Sequence, residues 1–276
     1  MSQYYYLLSS LPELEIGKDS YKIDFEEVYQ FIYENLHSDD KELFKYLLYP
    51  GDNKNLINEI AQNIGSPAPF PQFFEPSALT REQIGDYEKK FDQFPDYMSR
   101  FIENKVADLS GKSLVALEKE LNQHFYEEVL ELSDEFLEEY YAFEKALQQI
   151  LLAINNRHFD LEALQQLPED DFIVNNLKKS SAADFGLGQD YDFIENLNQI
   201  VEQGNVEQLE MQVERIRWDY LEELTKFSFF DSHKVFTYTL KLLSLKRWMS
   251  LVPEAGKKRL EELIDHKMEA FELPSI

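Results

Sequence analysis

Cysteine is absent from this 276-residue sequence, and glycine and proline are scarce. The lack of cysteine excludes disulfides, thiolate metal sites and cysteine nucleophiles. Glycine occurs only 9 times and proline only 10 times, whereas residues that favour helix, such as leucine, glutamate, glutamine and lysine, are abundant. Hydrophobic residues make up 43% of the chain, which excludes a disordered protein. We therefore expect a globular protein with more helix than sheet.

Positive charge is also scarce. Lys and Arg number 27 against 53 Asp and Glu, which gives a formal net charge of -26. A field of this sign repels nucleic acids and anionic lipid headgroups, so we expect no direct binding to either. The deficit is uneven, because residues 226–276 carry nine basic and seven acidic side chains, a net +2. The acidic body, with a net -28, and the nearly neutral C-terminal part could face different partners.

Long hydrophobic runs are missing as well, and no apolar stretch reaches the ~18 residues that a membrane-spanning helix needs. The chain starts with an aromatic segment, MSQYYYLLSSLPELEIG, which we call the opening block. Its residues 4–8 suit either a strand or a helix. A secretory signal peptide has a basic start and a longer apolar segment, whereas here the first basic residue is Lys18 and Pro12 interrupts the block. We therefore predict that the opening block packs against the body of the protein.

Apolar residues recur at steps of three and four along most of the chain, which predicts an all-α fold. From Lys112 to Leu167 the sequence has neither glycine nor proline, and the spacing predicts helix. This segment is either one long helix or two helices that meet at Ser133-Asp134, where either residue can cap a new helix. The other predicted helices cover residues 24–36, 40–49, 53–64, 80–94, 96–109, 161–166, 168–179, 190–203, 206–225, 232–251 and 254–271.

Two parts of the chain differ in character. Residues 1–111 form an N-terminal helical part with a proline-rich loop, and residues 112–276 form a part with longer helices. We expect the two parts to make one continuous structural unit. Within the second part, Phe125–Phe159 and Asp219–Met249 both run from an acidic aromatic start to a basic end, which is a sign of internal duplication.

The proline-rich loop, SPAPFPQFFEP at residues 66–76, contains four prolines and cannot form a helix. It carries Phe70, Phe73 and Phe74, three large apolar side chains that need burial or a partner. They either anchor the loop in the body of the protein or form a docking site for another protein.

Motifs for catalysis are missing or incomplete. The single Gly-x-Gly, at Gly186-Leu187-Gly188, follows no predicted strand, and the sequence has no Gly-Lys-Ser/Thr, so we expect no bound nucleotide. One Glu-x-x-His, from Glu34 to His37, stands alone where a di-iron bundle needs two. Adjacent carboxylates on helices are expected to be solvated rather than to act as acid and base. These pairs are Glu127-Glu128, Glu138-Glu139 and Glu222-Glu223. We therefore predict a protein that is not an enzyme and that holds no metal or other cofactor.

Basic side chains gather towards the C-terminus. They are either solvated and complementary to helix ends, or they form a patch that binds an acidic partner or carbonyl-rich loops. Together with the three phenylalanines of the proline-rich loop, they are the candidate partner-binding residues. The basic candidates are Lys241, Lys246, Arg247, Lys257, Lys258 and Arg259.

The segment Val206–Leu251 resembles the C-terminal part of the C-type subunits of V/A-type ATP synthases, which are homologues of the d-type subunits of V-ATPases. The features that carry the resemblance are the helix with Leu209-Glu210, the aromatic link Phe227–Phe230, the helix start with Lys234-Val235-Phe236-Thr237-Tyr238, and the basic end Lys246-Arg247. The segment Ala146–Arg157, ALQQILLAINNR, resembles an asparagine-arginine helix end of the same family. The start, YYYLLSSLPEL, is similar to a group of short, uncharacterised bacterial proteins associated with V-type ATPase operons.

This resemblance implies a helical, funnel-like protein built of repeated helix groups, which sits on the membrane rotor ring, receives the central axle and passes torque. The implied function is that of a non-catalytic peripheral subunit of a bacterial V-type ATPase. Its partners would be the proteins of the rotor axle and the membrane ring. The implied location is cytoplasmic, attached to the inner membrane through other subunits. Two other hypotheses rest on the residues alone: a free-standing acidic helical adaptor or scaffold, and an enzyme that uses carboxylates.

Overall fold

The computed structural model describes residues 4–16, 23–70, 72–105, 113–159, 164, 167 and 171–251. Within these residues the fold is all-α, with twelve α-helices and no β-strand, which confirms the predicted class. The helices are α1 (Tyr5–Ser10), α2 (Phe25–Asn35), α3 (Ser38–Phe44), α4 (Tyr49–Asn63), α5 (Arg81–Gly85), α6 (Asp96–Lys105), α7 (Leu114–Val129), α8 (Glu135–Phe159), α9 (Phe172–Lys179), α10 (Ile194–Glu202), α11 (Val206–Leu224) and α12 (Ser232–Leu251). None of them has the length and hydropathy that a bilayer span requires.

Capping residues define several helix starts, as the sequence predicted. The Asp24 carboxylate accepts hydrogen bonds from the backbone N–H groups of Glu26 and Glu27 at the start of α2. At the start of α5, Thr80 and Gln83 form a capping box in which each side chain accepts a hydrogen bond from the other's backbone N–H. Such caps satisfy N–H groups that have no partner inside the helix.

The long segment from Lys112 to Leu167 is broken rather than continuous. Helix α7 ends at Val129, and α8 begins at Glu135 after a short turn. The Asp134 carboxylate accepts a hydrogen bond of 2.9 Å from the backbone N–H of Leu137, which caps α8. Of the two alternatives for this segment, the helix pair that meets at Ser133-Asp134 is therefore confirmed.

Several predicted boundaries are wrong, and the helix predicted to start at residue 190 starts at Ile194. Pro50-Gly51 suggests the end of a helix, but both residues lie in the first turn of α4. Proline suits this position because N–H groups of the first turn have no partner inside the helix, so its missing N–H costs nothing. The helix predicted over 80–94 ends at Gly85, and a single 3₁₀ turn follows at Phe91–Gln93. The predicted helices 161–166 and 254–271 lie largely or wholly outside the described residues.

The described helices enclose two hydrophobic cores. The first is built from α1 to α7, the N-terminal half of α8, and parts of α11 and α12, so it combines residues from both sides of position 111. Phe44, Leu56 and Phe236 are fully buried in it, and burial of each such side chain contributes about 1.5–3 kcal/mol. The second core lies between the C-terminal half of α8, α9, α10 and the N-terminal half of α11. The division at 111 and the repeated helix groups stay predictions.

Candidate protein-docking site

The proline-rich loop is held on α4 by two asparagines. The Asn58 side chain accepts a hydrogen bond from the Phe70 N–H at 3.0 Å and donates one to the Phe70 carbonyl at 3.1 Å. Asn55 binds the N–H and carbonyl of Phe74 in the same way, at 2.7 and 3.1 Å. The amide of an asparagine has a donor and an acceptor, so it can bind both the N–H and the carbonyl of one residue. A neighbouring β-strand would bind the same two groups. The loop backbone is thereby fixed without a sheet.

The phenylalanines of this loop pack against cations of their own chain. Phe70, Phe73 and Phe74 are all half-buried. The Lys54 ammonium lies 5.6 Å from the centre of the Phe70 ring and 4.9 Å from that of Phe74, and the Arg81 guanidinium lies 4.2 Å from that of Phe73. Burial and the nearby charge of Arg247 lower the pKa of Lys54. These contacts agree with an anchored loop, and a role of the rings in partner binding stays a prediction.

The residues that directly follow the loop are held by a buried carboxylate on α4. Asp52 is 0% exposed and accepts hydrogen bonds from the Ser77 hydroxyl and, at 3.0 Å, from the backbone N–H of Ala78. Burial raises the pKa of Asp52 to about 7, although the hydrogen bonds from Ser77 and Ala78 act in the opposite direction.

The described basic candidates on α12 also contact their own chain. Lys241 is buried, pairs with Glu222 on α11, and lies 4.9 Å from the centre of the Trp218 ring. Lys246 Nζ donates a hydrogen bond of 2.8 Å to the backbone carbonyl of Glu75, so α12 reaches the proline-rich loop. Arg247 pairs with Glu210 and Glu214 on α11; Lys257, Lys258 and Arg259 lie outside the described residues. None of these contacts tests binding to a partner.

A buried ion network joins three helices, and helical spacing gave no sign of it. Arg217 on α11 binds Glu144 on α8 at 2.7 Å and Glu214 one turn earlier at 2.9 Å. Glu214 is 2% exposed and also binds Arg247 and the Ser244 hydroxyl on α12. Burial lowers the pKa of Arg217, but the charges of Glu144 and Glu214 outweigh burial and raise it above its ordinary value.

The opening block packs against the turn between α11 and α12, which confirms the prediction made for it. The Tyr4 N–H donates a hydrogen bond of 2.6 Å to the Phe230 carbonyl, and the Tyr5 and Phe230 rings stack with centres 3.6 Å apart. The Tyr238 hydroxyl on α12 donates to the Pro12 carbonyl at 2.8 Å. Residues 5–10 are helical, so the helix alternative holds for most of residues 4–8.

Four aromatic side chains of the opening block and of this turn remain exposed. We call them the aromatic edge: Tyr5 (59% exposed), Tyr6 (74%), Phe227 (87%) and Phe229 (70%). The turn that carries the two phenylalanines is held by a 3.0 Å hydrogen bond from the Ser228 N–H to the Thr225 carbonyl. Beside Phe229 lies a surface cavity of about 480 Å³, lined in part by Asp219, Glu222 and Lys234.

The exposed rings of the aromatic edge are suited to binding another protein rather than to catalysing a reaction. Aromatic side chains bury about 150–250 Å² each when covered, which makes them strong contributors to protein interfaces. Because the backbone beneath is already fixed, little conformational freedom is lost when a partner covers the rings. The sequence drew attention to Phe227–Phe230 only as an aromatic link, since exposure cannot be deduced from helical spacing.

A metal centre finds no support in the part of the chain that the structure describes. There, no group of three or more His, Asp or Glu side chains is placed to hold an ion. The backbone N–H of His37 donates to the Tyr4 hydroxyl at 3.0 Å, and Glu34 accepts a hydrogen bond from Gln30. The His37 ring lies against Tyr4 of the opening block, with centres 5.1 Å apart, whereas Glu34 bonds within its own helix.

Comparison with known proteins places the chain in a family. No curated protein and no solved structure matches it. A protein-family model described as "Protein of unknown function (DUF2764)" matches residues 1–270. Because this match covers almost the full length, the chain belongs to the DUF2764 family.

Proposed function

We propose that this protein is a non-catalytic peripheral subunit of a bacterial V-type ATPase, bound to other subunits through the aromatic edge. The observation that carries the proposal is a meeting of two distant segments. The opening block resembles short bacterial proteins associated with V-type ATPase operons, and Val206–Leu251 resembles the C-type subunits. The two segments contact each other at Tyr5 and Phe230. Tyr5 at this contact is exposed, as are Tyr6 next to it in sequence and Phe227 and Phe229 in the same turn as Phe230.

The surroundings of the aromatic edge favour a protein as its partner. Exposed rings on a fixed turn are typical of interface anchors. Three carboxylates and two lysines line the cavity beside Phe229, and the net charge of the whole chain is -26, so the overall field of the protein opposes an anionic bilayer. The proposed partners are the proteins of the rotor axle and the membrane ring. The proposed location is the cytoplasmic side of the membrane, reached through those partners.

The ion network supports a part that passes torque. Such a part must keep its helices in a fixed relation, and buried ion pairs between helices can fix their register. Arg217–Glu144 joins α11 to α8, and Arg247–Glu214 joins α12 to α11. The aromatic edge lies at the turn between α11 and α12, so these ion pairs brace the two helices that carry it.

Affinity purification from the native host tests the proposal. The tagged full chain is expected to recover V-type ATPase subunits, and Phe227→Ala with Phe229→Ala is expected to reduce that recovery by about tenfold. The matched control is Phe159→Ala with Phe172→Ala, since these rings are 60% and 71% exposed on other helices. The control should recover the subunits as the unchanged chain does.

Two results would contradict the proposal. If the unchanged chain recovers no part of the ATPase, even after chemical cross-linking in cells, the ATPase assignment fails and the adaptor hypothesis remains. If both double variants recover ATPase subunits equally well, the protein belongs to the complex but binds it through another surface.

A further inference from the structure

A second surface lies away from the residues of the aromatic edge. It is an open groove of about 1100 Å³ between the segment joining α3 to α4, the start of α6 and the end of α7. We call it the acidic groove, because six carboxylates and one cation line it. The carboxylates are Glu42, Asp96, Glu103, Glu127, Glu128 and Glu131, and the cation is Arg100.

Three of the six carboxylates are not paired with a basic side chain within the described residues. Arg100 pairs with Glu128 at 3.3 Å, Glu42 pairs with Lys45 at 2.7 Å, and Glu127 lies 3.2 Å from the His124 ring nitrogen Nδ1. Asp96, Glu103 and Glu131 are exposed and have no ion pair in the described part of the chain. Like charges this close repel one another, so a ligand with positive charge would stabilise the groove.

The floor of the groove offers a hydroxyl to a ligand. Tyr49 lines the groove, is only 7% exposed, and is held by edge-on contacts with the rings of Tyr46 and Tyr97. The Tyr46 hydroxyl donates to Glu128 at 3.2 Å, whereas the Tyr49 hydroxyl has no hydrogen-bond partner among the described residues. Because the ring is already fixed, a ligand that reaches this hydroxyl gains a hydrogen bond at little cost in side-chain entropy.

We propose that the acidic groove binds a basic helical segment of a partner protein, with an arginine or lysine side chain that reaches the Tyr49 hydroxyl. The groove is open and its lining extends over three elements, which suits a chain segment better than an enclosed small molecule. The carboxylates come from three separate elements, so they surround a line of cations rather than one point. Exposed charges of this kind attract a basic partner over a distance and fix its register.

The groove and the aromatic edge share no residue, so this inference does not depend on the proposed function. A basic segment is also chemically distinct from the apolar contact expected at the aromatic edge. The two surfaces can therefore be tested separately.

Calorimetric titration of the full chain tests the proposal. The probe is a helix-forming peptide of alanine and arginine about 16 residues long, which has no large apolar side chain for the aromatic edge. Binding is expected at an ionic strength of ~0.15 M, where long-range attraction between exposed charges is largely screened. The same peptide with glutamine in place of arginine should not bind.

Charge-matched variants distinguish binding in the groove from general attraction to the negative charge of the protein. Glu103→Gln, Glu127→Gln and Glu131→Gln together are expected to raise Kd about tenfold. The control triple, Glu138→Gln, Glu202→Gln and Glu207→Gln, removes equal charge from exposed positions elsewhere and should change Kd by less than about twofold.

Tyr49→Phe probes the floor of the groove, and it should raise Kd about threefold without lowering Tm, because the hydroxyl makes no hydrogen bond to the described part of the free protein. Equal weakening by both triple variants would overturn the proposal and indicate unspecific attraction. It would also be overturned if spermine displaced the peptide as efficiently at equal charge while Tyr49→Phe had no effect on peptide binding. That result would indicate a site for any polycation.

Discussion

Buried charges are the residue-scale feature with the clearest consequences for stability. Asp52 is bound by Ser77 and Ala78, which directly follow the proline-rich loop, and Arg217 is bound by Glu144 on α8 and Glu214 on α11. The two differ in kind. Asp52 meets hydrogen-bond donors but no cation among the described residues, so burial penalises its ionised form. Arg217 meets two carboxylates, so its charge is favoured.

The raised pKa of Asp52 predicts a stability that depends on pH. The ordinary pKa of Asp52 is 3.8, and its pKa in the folded protein is about 7. Between these two pH values the folded state keeps a proton on Asp52 that the unfolded state releases. The contribution of Asp52 to stability therefore falls as pH rises from about 4 to 7, by up to about 4 kcal/mol, and is constant above. The asparagine in Asp52→Asn cannot ionise, so the stability of this variant should not fall over the same pH range.

Urea unfolding at several pH values checks this expectation. The stability advantage of Asp52→Asn over the unchanged protein should grow between about pH 5 and pH 7 and then level off. The control is Asp92→Asn, an exposed carboxylate outside the buried sites. An advantage of Asp52→Asn that does not change with pH would show that Asp52 is already ionised at pH 5.

Arg217→Met should destabilise the fold by about 3–5 kcal/mol, because it leaves Glu144 buried without a cation. The double variant Glu144→Leu with Arg217→Met should lose less, since Glu214 keeps its contacts with Arg247 and Ser244. Chemical unfolding followed by circular dichroism measures both. Lys89→Met provides the contrast, because Lys89 is 81% exposed and its pairing with Asp86 should count for less than about 1 kcal/mol. A double variant as unstable as the single one would contradict this account.

At the scale of elements, the sequence predicted what local contacts determine. The cap formed by Asp24 lies within three residues of its partners, and the break at Ser133-Asp134 depends on a bond to Leu137. Pro50 is misleading because proline is tolerated at the first turn of a helix as readily as after its end. The proline-rich loop is recognisable as a loop, but its attachment to Asn55 and Asn58 could not be predicted, because those contacts span 19 and 12 residues.

Asn55→Ala tests how strongly that loop is attached to α4. The change leaves the N–H and carbonyl of Phe74 without the partners that Asn55 supplies, so we expect a loss of about 1–3 kcal/mol of unfolding free energy. Asn35→Ala is the control, because Asn35 is exposed and its side chain donates to the Phe31 carbonyl in its own helix. Equal losses in the two variants, measured by urea unfolding, would mean that Asn55 contributes no more than an ordinary helical position.

At the scale of the whole molecule, α8 links the two cores. Its first residues, such as Phe136 and Leu137, lie in the first core, and later ones, such as Leu147 and Ile150, lie in the second. The Tyr220 ring stacks on Phe143 with centres 3.7 Å apart, at the place where the cores adjoin. Such continuity favours a single cooperative unfolding transition over two separate ones.

Removal of residues 1–10 should lower Tm, because Tyr4 and Leu7 are 3% and 2% exposed in the first core. Each buried side chain of this size contributes about 1.5–3 kcal/mol. The control is Tyr5→Ser with Tyr6→Ser, which changes only the exposed rings of the block and should leave most of the stability intact. An unchanged Tm in the truncated protein would mean that the opening block is a free docking arm.

The candidate docking site shows where prediction from sequence ends. The basic side chains of α12 were expected either to be solvated or to form a partner-binding patch, but Lys241 and Arg247 pair with residues 19 to 37 positions earlier. Arg217 and Glu144 are 73 positions apart. Helical spacing reports neighbours on one helix, so it contains no information on which helices face each other. The aromatic edge depends on the same long-range arrangement.

Trp218 offers an optical consequence of the packing between α11 and α12. The chain has only two tryptophans, and the Trp218 indole N–H donates to Ser244 on α12 at 3.1 Å while the Lys241 ammonium lies over its ring. With Trp248→Phe, the tryptophan emission of the protein would come from Trp218 alone. That single emitter responds to any separation of the two helices, so it can follow in real time whether a partner that covers their turn also shifts the helices behind it.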